Sequence, residues 1–274
     1  MPRYRLTIEY DGSPFVGWQR QAEGLSIQGL IEDALSRIEG RAVAVVGAGR
    51  TDAGVHACGQ VASVRLSSPI DLAVLERALN AMLPAEIRVT GVEQAADSFH
   101  ARYSAESKTY RYRIVNAPSA TPFEWRYAWH VTERLDVERM RAAARLIEGE
   151  HDFAAFRATG SSVKTTVRRV ERSSIVEDAG SEGATPWGCA IPARPGARRL
   201  TYEVSATGFL RHMVRAIVGT LVEIGTGRRE AASIEHALAS GDRADAGPTA
   251  PACGLCLVEV RYPSCDGARQ PVSS

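Results

Sequence analysis

Tyr4, Leu6, Ile8 and Tyr10 alternate with Arg3, Arg5, Thr7 and Glu9, and that period of two predicts a half-buried strand at the start of the chain. The period then changes. Ile27, Leu30, Ile31, Ala34, Leu35 and Ile38 recur at helical spacing behind Ser26, a residue suited to cap a helix start, and the pattern closes near Gly40. Strands are predicted over Ala42–Val46 and Gln60–Leu66, separated by the glycine-rich segment Gly47–Gly59. A helix from Asp71 carries Leu75, Ala78, Leu79 and Met82, and Pro84 precedes a strand over Ile87–Val92. The second half repeats the order. It has a strand over Lys108–Asn116, a helix over Asp136–Ile147, strands over Thr166–Val176 and Leu200–Ala206, a helix over Phe209–Ile224 and a last strand over Leu255–Tyr262.

A β-α-β-β-α-β order met twice is that of the ferredoxin-like unit, so the expected fold is α+β with two such domains, residues 1–105 and 106–274. Glu177–Arg199 collects glycines and prolines between two strands and is expected to be a mobile loop. Pro263–Ser274 is expected to fray. With 274 residues, 45% hydrophobic and 24% charged, the chain has the composition of an ordinary folded protein and needs neither disulfides nor a metal to hold a core. Its longest apolar run, Ala42–Gly49, is far short of the ~20 residues of a membrane helix. No signal segment precedes the first strand, and five scattered cysteines suit a reducing compartment, so a cytoplasmic protein is expected. A net charge of +1 excludes attraction to nucleic acid by bulk charge but allows a local basic cleft. Only Lys108 and Lys164 are lysines; the remaining basic residues are arginines, which suit phosphates and base stacking but are also what a GC-rich genome favours.

Three segments carry candidate chemistry. Gly47–Ala57 surrounds Arg50, Asp52 and His56 with small residues, in a loop between two core strands. It is not a Walker loop, because Gly54 is followed by Val55 and His56, and it is not a dinucleotide fingerprint, because it leads into a strand. The six histidines form no HExxH pair and Cys253–Cys256 has no second pair, so no metal site is expected; those two cysteines suit a strand core better than a redox pair. Lys108–Arg113 interleaves Tyr110 and Tyr112 on one strand face with Arg111 and Arg113 on the other, which suits base stacking and phosphate binding or simply a tyrosine-lined core. In Gly208–Arg215 the stripe Leu210, Met213, Val214, Ile217, Leu221 is expected to be buried, leaving Arg211 and Arg215 one turn apart on another face. They are then either solvated or available to pair with a carboxylate in a cleft.

Together these segments resemble the tRNA pseudouridine synthase A family. The matching blocks are Tyr10-Asp11-Gly12 with Gly17-Trp18-Gln19-x-Gln21; Gly49 to Ala57; Phe99-His100-Ala101-Arg102; Lys108 to Tyr112; Phe209 to Arg215; and Thr249-Ala250-Pro251 with Gly254-Leu255, in family order over about residues 4 to 262. The resemblance implies a pseudouridine synthase fold with a central mixed, mainly antiparallel sheet and an RNA-binding cleft. It implies isomerisation of uridine at positions 38, 39 and 40 in the anticodon arm of tRNAs, without cofactor or metal, by a homodimer. Residue by residue it implies that Asp52 is the catalytic aspartate, Tyr110 packs on the target base, Arg215 pairs with the aspartate, Leu255 forms an apolar wall and Arg50 holds the flipped-out nucleotide. Arg211, Arg111 and Arg168 are further expected to contact RNA. Ala216 and Thr207 depart from the asparagines common in the family, and Glu177–Arg199 is locally unlike it, which touches fine substrate choice and not the reaction.

Two other classes compete. A non-catalytic RNA-binding module lacks the aromatic motif expected on its sheet. A nucleoside hydrolase needs two cooperating carboxylates, and no second acid lies near Asp52 in sequence.

Overall fold

The computed structural model describes residues 1–160, 163–177 and 197–263. β1 (Arg3–Tyr10) buries Tyr4, Leu6, Ile8 and Tyr10 on one face, as its alternation predicts. α1 (Ile27–Glu39) starts where the Ser26 hydroxyl accepts from the Gly29 N–H at 3.3 Å, and it stops at Gly40, whose φ of 69° a side chain disfavours. β2 (Val45–Gly47), β3 (His56–Arg65), α2 (Leu72–Met82) capped by Asp71, and β4 (Ile87–Ala95) complete the first half. β5 (Ser107–Asn116), β6 (Trp129–Val131), α3 (Val137–Arg145) capped by Asp136, β7 (Gly149–Asp152), β8 (Val167–Glu177) and β9 (Arg198–Ala206) follow. The described chain closes with α4 (Met213–Gly225), α5 (Ser233–Ser240) and β10 (Leu255–Arg261).

Strand pairing gives the repeated element order its meaning. β1 lies antiparallel between β4 and β3, and β2 pairs with the far edge of β3, giving β4-β1-β3-β2. β5 lies antiparallel between β10 and β9, and β8 follows, giving β10-β5-β9-β8. In both halves the strand that returns after the first helix leaves a gap, which a later strand fills: the split β-α-β arrangement of the ferredoxin-like unit. The two units fuse into one sheet, because β10 pairs in parallel with β3 through Cys256 opposite His56 and Leu257 opposite Ala57. The sheet is therefore mixed and mainly antiparallel. Alternate strand residues and the apolar stripes of the helices share one continuous core. No helix among the described residues is long and apolar enough to cross a membrane.

Three local expectations shift. β3 begins at His56 rather than Gln60, because its first residues pair with β10 from the far end of the chain. α4 begins at Met213 rather than Phe209; His212 has a left-handed backbone (φ 65°), so the preceding residues form a turn. β6, β7 and α5 are too short to impose a period that sequence reading detects. The expected mobile loop and frayed tail fall mostly on residues 178–196 and 264–274, outside the described residues. At the loop's base Arg198 Nη2 and Glu177 Oε2 pair at 2.6 Å.

Candidate active site

The loop between β2 and β3 is fixed from several directions, and that fixing aims Asp52. The Ala48 N–H donates to the Val61 carbonyl at 2.7 Å, Gln60 Nε2 donates to the Gly49 carbonyl at 2.9 Å, and the Tyr10 and Thr51 hydroxyls meet at 2.9 Å. The Trp18 N–H donates to the Thr51 carbonyl at 3.0 Å. Gly17 makes that approach possible: its φ is +109°, and a Cβ there would sit 2.7 Å from the Thr51 carbonyl oxygen. Polar backbone groups are thus satisfied by the scaffold, while the Asp52 side chain stays 24% exposed.

The partner of Asp52 comes from the other unit. Arg215, in the first turn of α4, donates from Nη1 to Asp52 Oδ2 at 3.3 Å and from Nε to the Ala250 carbonyl at 2.8 Å. The segment carrying Ala250 is itself held, since the Ala250 N–H donates to the Arg215 carbonyl at 3.0 Å and Gly247 N–H to Thr220 Oγ1 at 2.8 Å. A guanidinium fastened at one nitrogen and offered to a carboxylate with another has a defined orientation. His212 Nε2 lies 3.6 Å from the same Asp52 oxygen. Burial lowers the pKa of His212; Asp52 opposes that, and Arg215, Arg211 and Arg243 reinforce it, so the contact is made by a neutral ring.

Tyr110 and Tyr112 share the core face of β5, and Leu255 and Leu257 stand opposite Tyr112 and Tyr110 on β10. Tyr110 is 6% exposed and meets Phe209 edge to face with ring centroids 5.0 Å apart. Its hydroxyl has no hydrogen-bond partner among the described residues. Burial pushes the Tyr110 phenol well above its ordinary pKa, helped by the nearby Asp52 carboxylate. Arg50 and Arg211 are exposed and Arg168 is half-buried; none of the three pairs with a carboxylate among the described residues. Arg111 goes elsewhere. It lies on the opposite sheet face, where Nε donates to Glu203 Oε2 at 2.7 Å, and it lines a cleft of about 790 Å³ with Asp11, His56, Cys58 and Glu203.

His56 also leaves the Asp52 side of the loop. Its Nδ1 lies 3.1 Å from Asp11 Oδ1, yet the same nitrogen accepts from the Gly12 N–H at 3.1 Å, and burial lowers its pKa. On its other side the ring's Nε2 lies 3.2 Å from the Cys253 carbonyl, so the imidazole bridges the Asp11–Gly12 turn and the turn before β10. His56 fastens the β2–β3 loop to the turn before β10. The two cysteines are not the strand-core pair expected: Cys253 lies in the turn before β10, Cys256 is a half-buried strand residue lining the cleft, and its thiol lies 3.6 Å from that of Cys58.

The structure therefore brings Asp52, Arg215 and Tyr110 to one place and sets Arg111 apart. Sequence reading missed the contacts of His212 with Asp52 and of Phe209 with Tyr110. Both sit in the Gly208–Arg215 segment already singled out, but a helical reading of it hid the left-handed turn that delivers them.

A family model described as tRNA pseudouridine synthase matches residues 6–104 and 143–263. A tRNA pseudouridine synthase A of Syntrophotalea carbinolica is 47% identical over 258 residues, covering 94% of this chain and 95% of that protein. A protein of the same name from Geotalea uraniireducens is 44% identical, covering 96% of this chain and 100% of its own length. Another from Myxococcus xanthus is 43% identical, covering 99% and 96%.

Proposed function

This chain belongs to the tRNA pseudouridine synthase family, isomerases that convert uridine to pseudouridine, and we propose that it acts on positions 38, 39 and 40 of the tRNA anticodon arm through Asp52. The observation that carries the assignment of Asp52 is its contact with Arg215 at 3.3 Å, across 163 residues of sequence. A partly exposed carboxylate that two separate units converge to orient is built to meet something outside the protein.

The reaction breaks the bond from C1′ to N1, turns the base and joins C1′ to C5; the C5 hydrogen leaves as a proton and N1 acquires one. The uridine first leaves the base stack. Asp52 then either attacks C1′ or takes a proton from the sugar, and in both routes Arg215 holds the acting oxygen and balances its charge. Tyr110 packs on the extruded base with its free hydroxyl directed into the site. Contact with the base is its main contribution, and help with removal of the C5 proton through its hydroxyl is the weaker one, because burial disfavours the phenolate. Leu255 adds an apolar wall, and Arg50, Arg211 and Arg168 hold the RNA. Arg111, being tied to Glu203 on the other face, reaches RNA only if the bound molecule wraps the sheet edge. The enzyme works as a homodimer, in the cytoplasm, without cofactor.

A glycosidase reading is disfavoured, because no second carboxylate approaches Asp52, Arg215 or His212 among the described residues. Replacing Asp52 by Ala is expected to abolish tritium release from tRNA labelled at uridine C5 while leaving tRNA retention on filters intact. Tritium release persisting in that variant removes Asp52 from the mechanism, and free uracil among the wild-type products replaces isomerisation by hydrolysis.

A further inference from the structure

Lys108 is about 9% exposed, one of two lysines in the chain, and it has no hydrogen bond or ion pair among the described residues. It stands two residues before Tyr110 on the same face of β5, so its stem runs toward the catalytic loop. The position a Cβ would take on Gly49 lies 3.6 Å from Lys108 Cδ and Cε and 3.9 Å from the Tyr110 hydroxyl. Two arginines share this corner. Arg102, whose charge acts on both Lys108 and Arg168, covers the Tyr103 ring at 5.8 Å. Arg168 lies with its Nε 3.6 Å from the Cβ position of Gly208, the residue before Phe209. Its Nη1 donates to the carbonyls of Thr165 and Val167 at 3.0 and 2.6 Å. Lys108, Arg102 and Arg168 face no carboxylate among the described residues.

A buried ammonium without a counter-charge is costly, and two neighbouring guanidinium groups add repulsion. Burial of Lys108, then the charge of Arg102, pulls its pKa below the ordinary lysine value, which is the signature of a cation that lacks its anion. Three donors of one sign at the mouth of a site for a polyanion suit a phosphodiester, which an ammonium binds as a point charge. They do not suit a base, which needs acceptors or an aromatic face as well.

We propose that Lys108, with Arg102 and Arg168, forms a subsite for a single backbone phosphate, that of a linkage flanking the extruded uridine. The subsite rests on the reading that Asp52 acts on a tRNA uridine. Engaging that phosphate fixes the sugar whose C1′ must face Asp52, so Lys108 supports turnover as well as binding.

The test is a scan of an anticodon stem-loop in which each phosphate around the target is replaced, one at a time, by an uncharged methylphosphonate. With wild-type enzyme, one flanking linkage is expected to lower kcat/KM about tenfold when neutralised, the scale of one charge-assisted hydrogen bond. Lys108→Met is expected to be indifferent to that same linkage, Lys108→Arg to retain the sensitivity, and the salt slope of binding to fall by about 0.7 in Lys108→Met. A Lys108→Met enzyme with wild-type kcat/KM overturns the proposal, as does a linkage effect that survives unchanged in it. If that variant does not fold, the wild-type scan decides alone, and the absence of any sensitive flanking linkage refutes the subsite. Wild-type enzyme inactive on the unmodified stem-loop would instead sink the reading of the site, so the two failures are distinguishable.

Discussion

Among single residues, Arg215 has the clearest division of labour: Nε spends its hydrogen on the Ala250 carbonyl and Nη1 reaches Asp52. Leucine keeps much of the volume and removes both contacts. Arg215→Leu is therefore expected to lower single-turnover pseudouridine formation by about a hundredfold or more, in the range for loss of one pre-organised electrostatic contact. tRNA affinity should change far less; a rate near wild type would mean that the pair does not serve the reaction. The proposed catalytic residues Asp52, Tyr110 and Arg215 all sit in the matching blocks, so the candidate set was legible before any coordinates. What each one touches was not. Asp52 and His56 are four residues apart in one glycine-rich loop, yet one meets α4 and the other is locked to the turn before β10 on the far side of the sheet. Sequence proximity holds no information about which way a turn throws its side chains.

At the scale of elements, α4 matters most because it must lie against the segment that carries Ala250. Gly219 sits mid-helix, where alanine would ordinarily stabilise by roughly 1 kcal/mol. Here a Cβ would lie 1.7 Å from the Pro248 carbonyl oxygen. The sign reverses: Gly219→Ala is expected to destabilise by about 1–3 kcal/mol through overpacking, lowering the calorimetric midpoint by about 5 °C, and to impair turnover by shifting the carbonyl that holds Arg215. A midpoint equal to or above wild type would show that the helix and segment are not so closely apposed. The long elements were legible because their periods and caps are local, as with Ser26 and Gly40 around α1 and Asp71 before α2. The start of β3 was not, because His56 and Ala57 join the strand by pairing with β10, some two hundred positions away, as well as with Tyr10 of β1. The turn at His212 was hidden for a related reason: its left-handed backbone is sustained by tertiary packing, and a histidine gives no local signal for it.

At the scale of the whole molecule, two ferredoxin-like units share one sheet, and the proposed catalytic pair spans their junction. A homodimer is the assembly expected for this enzyme, and sedimentation equilibrium should return about twice the 29.6 kDa of one chain at micromolar concentration. A species that stays at the single-chain mass while fully active would remove the dimer from the account. At the junction β10 pairs with β3 through Cys256 and Leu257, and the Tyr262 hydroxyl donates to the Ala101 carbonyl at 2.7 Å, so the second unit is built onto the first. Arg215 and β10 follow Asp52 by 163 residues or more, so they are synthesised well after it. A copy interrupted in translation before Arg215 keeps the aspartate but lacks the guanidinium that meets it. In the proposed mechanism such a fragment holds an acid without its partner, and synthesis of the second unit becomes the event that licenses chemistry.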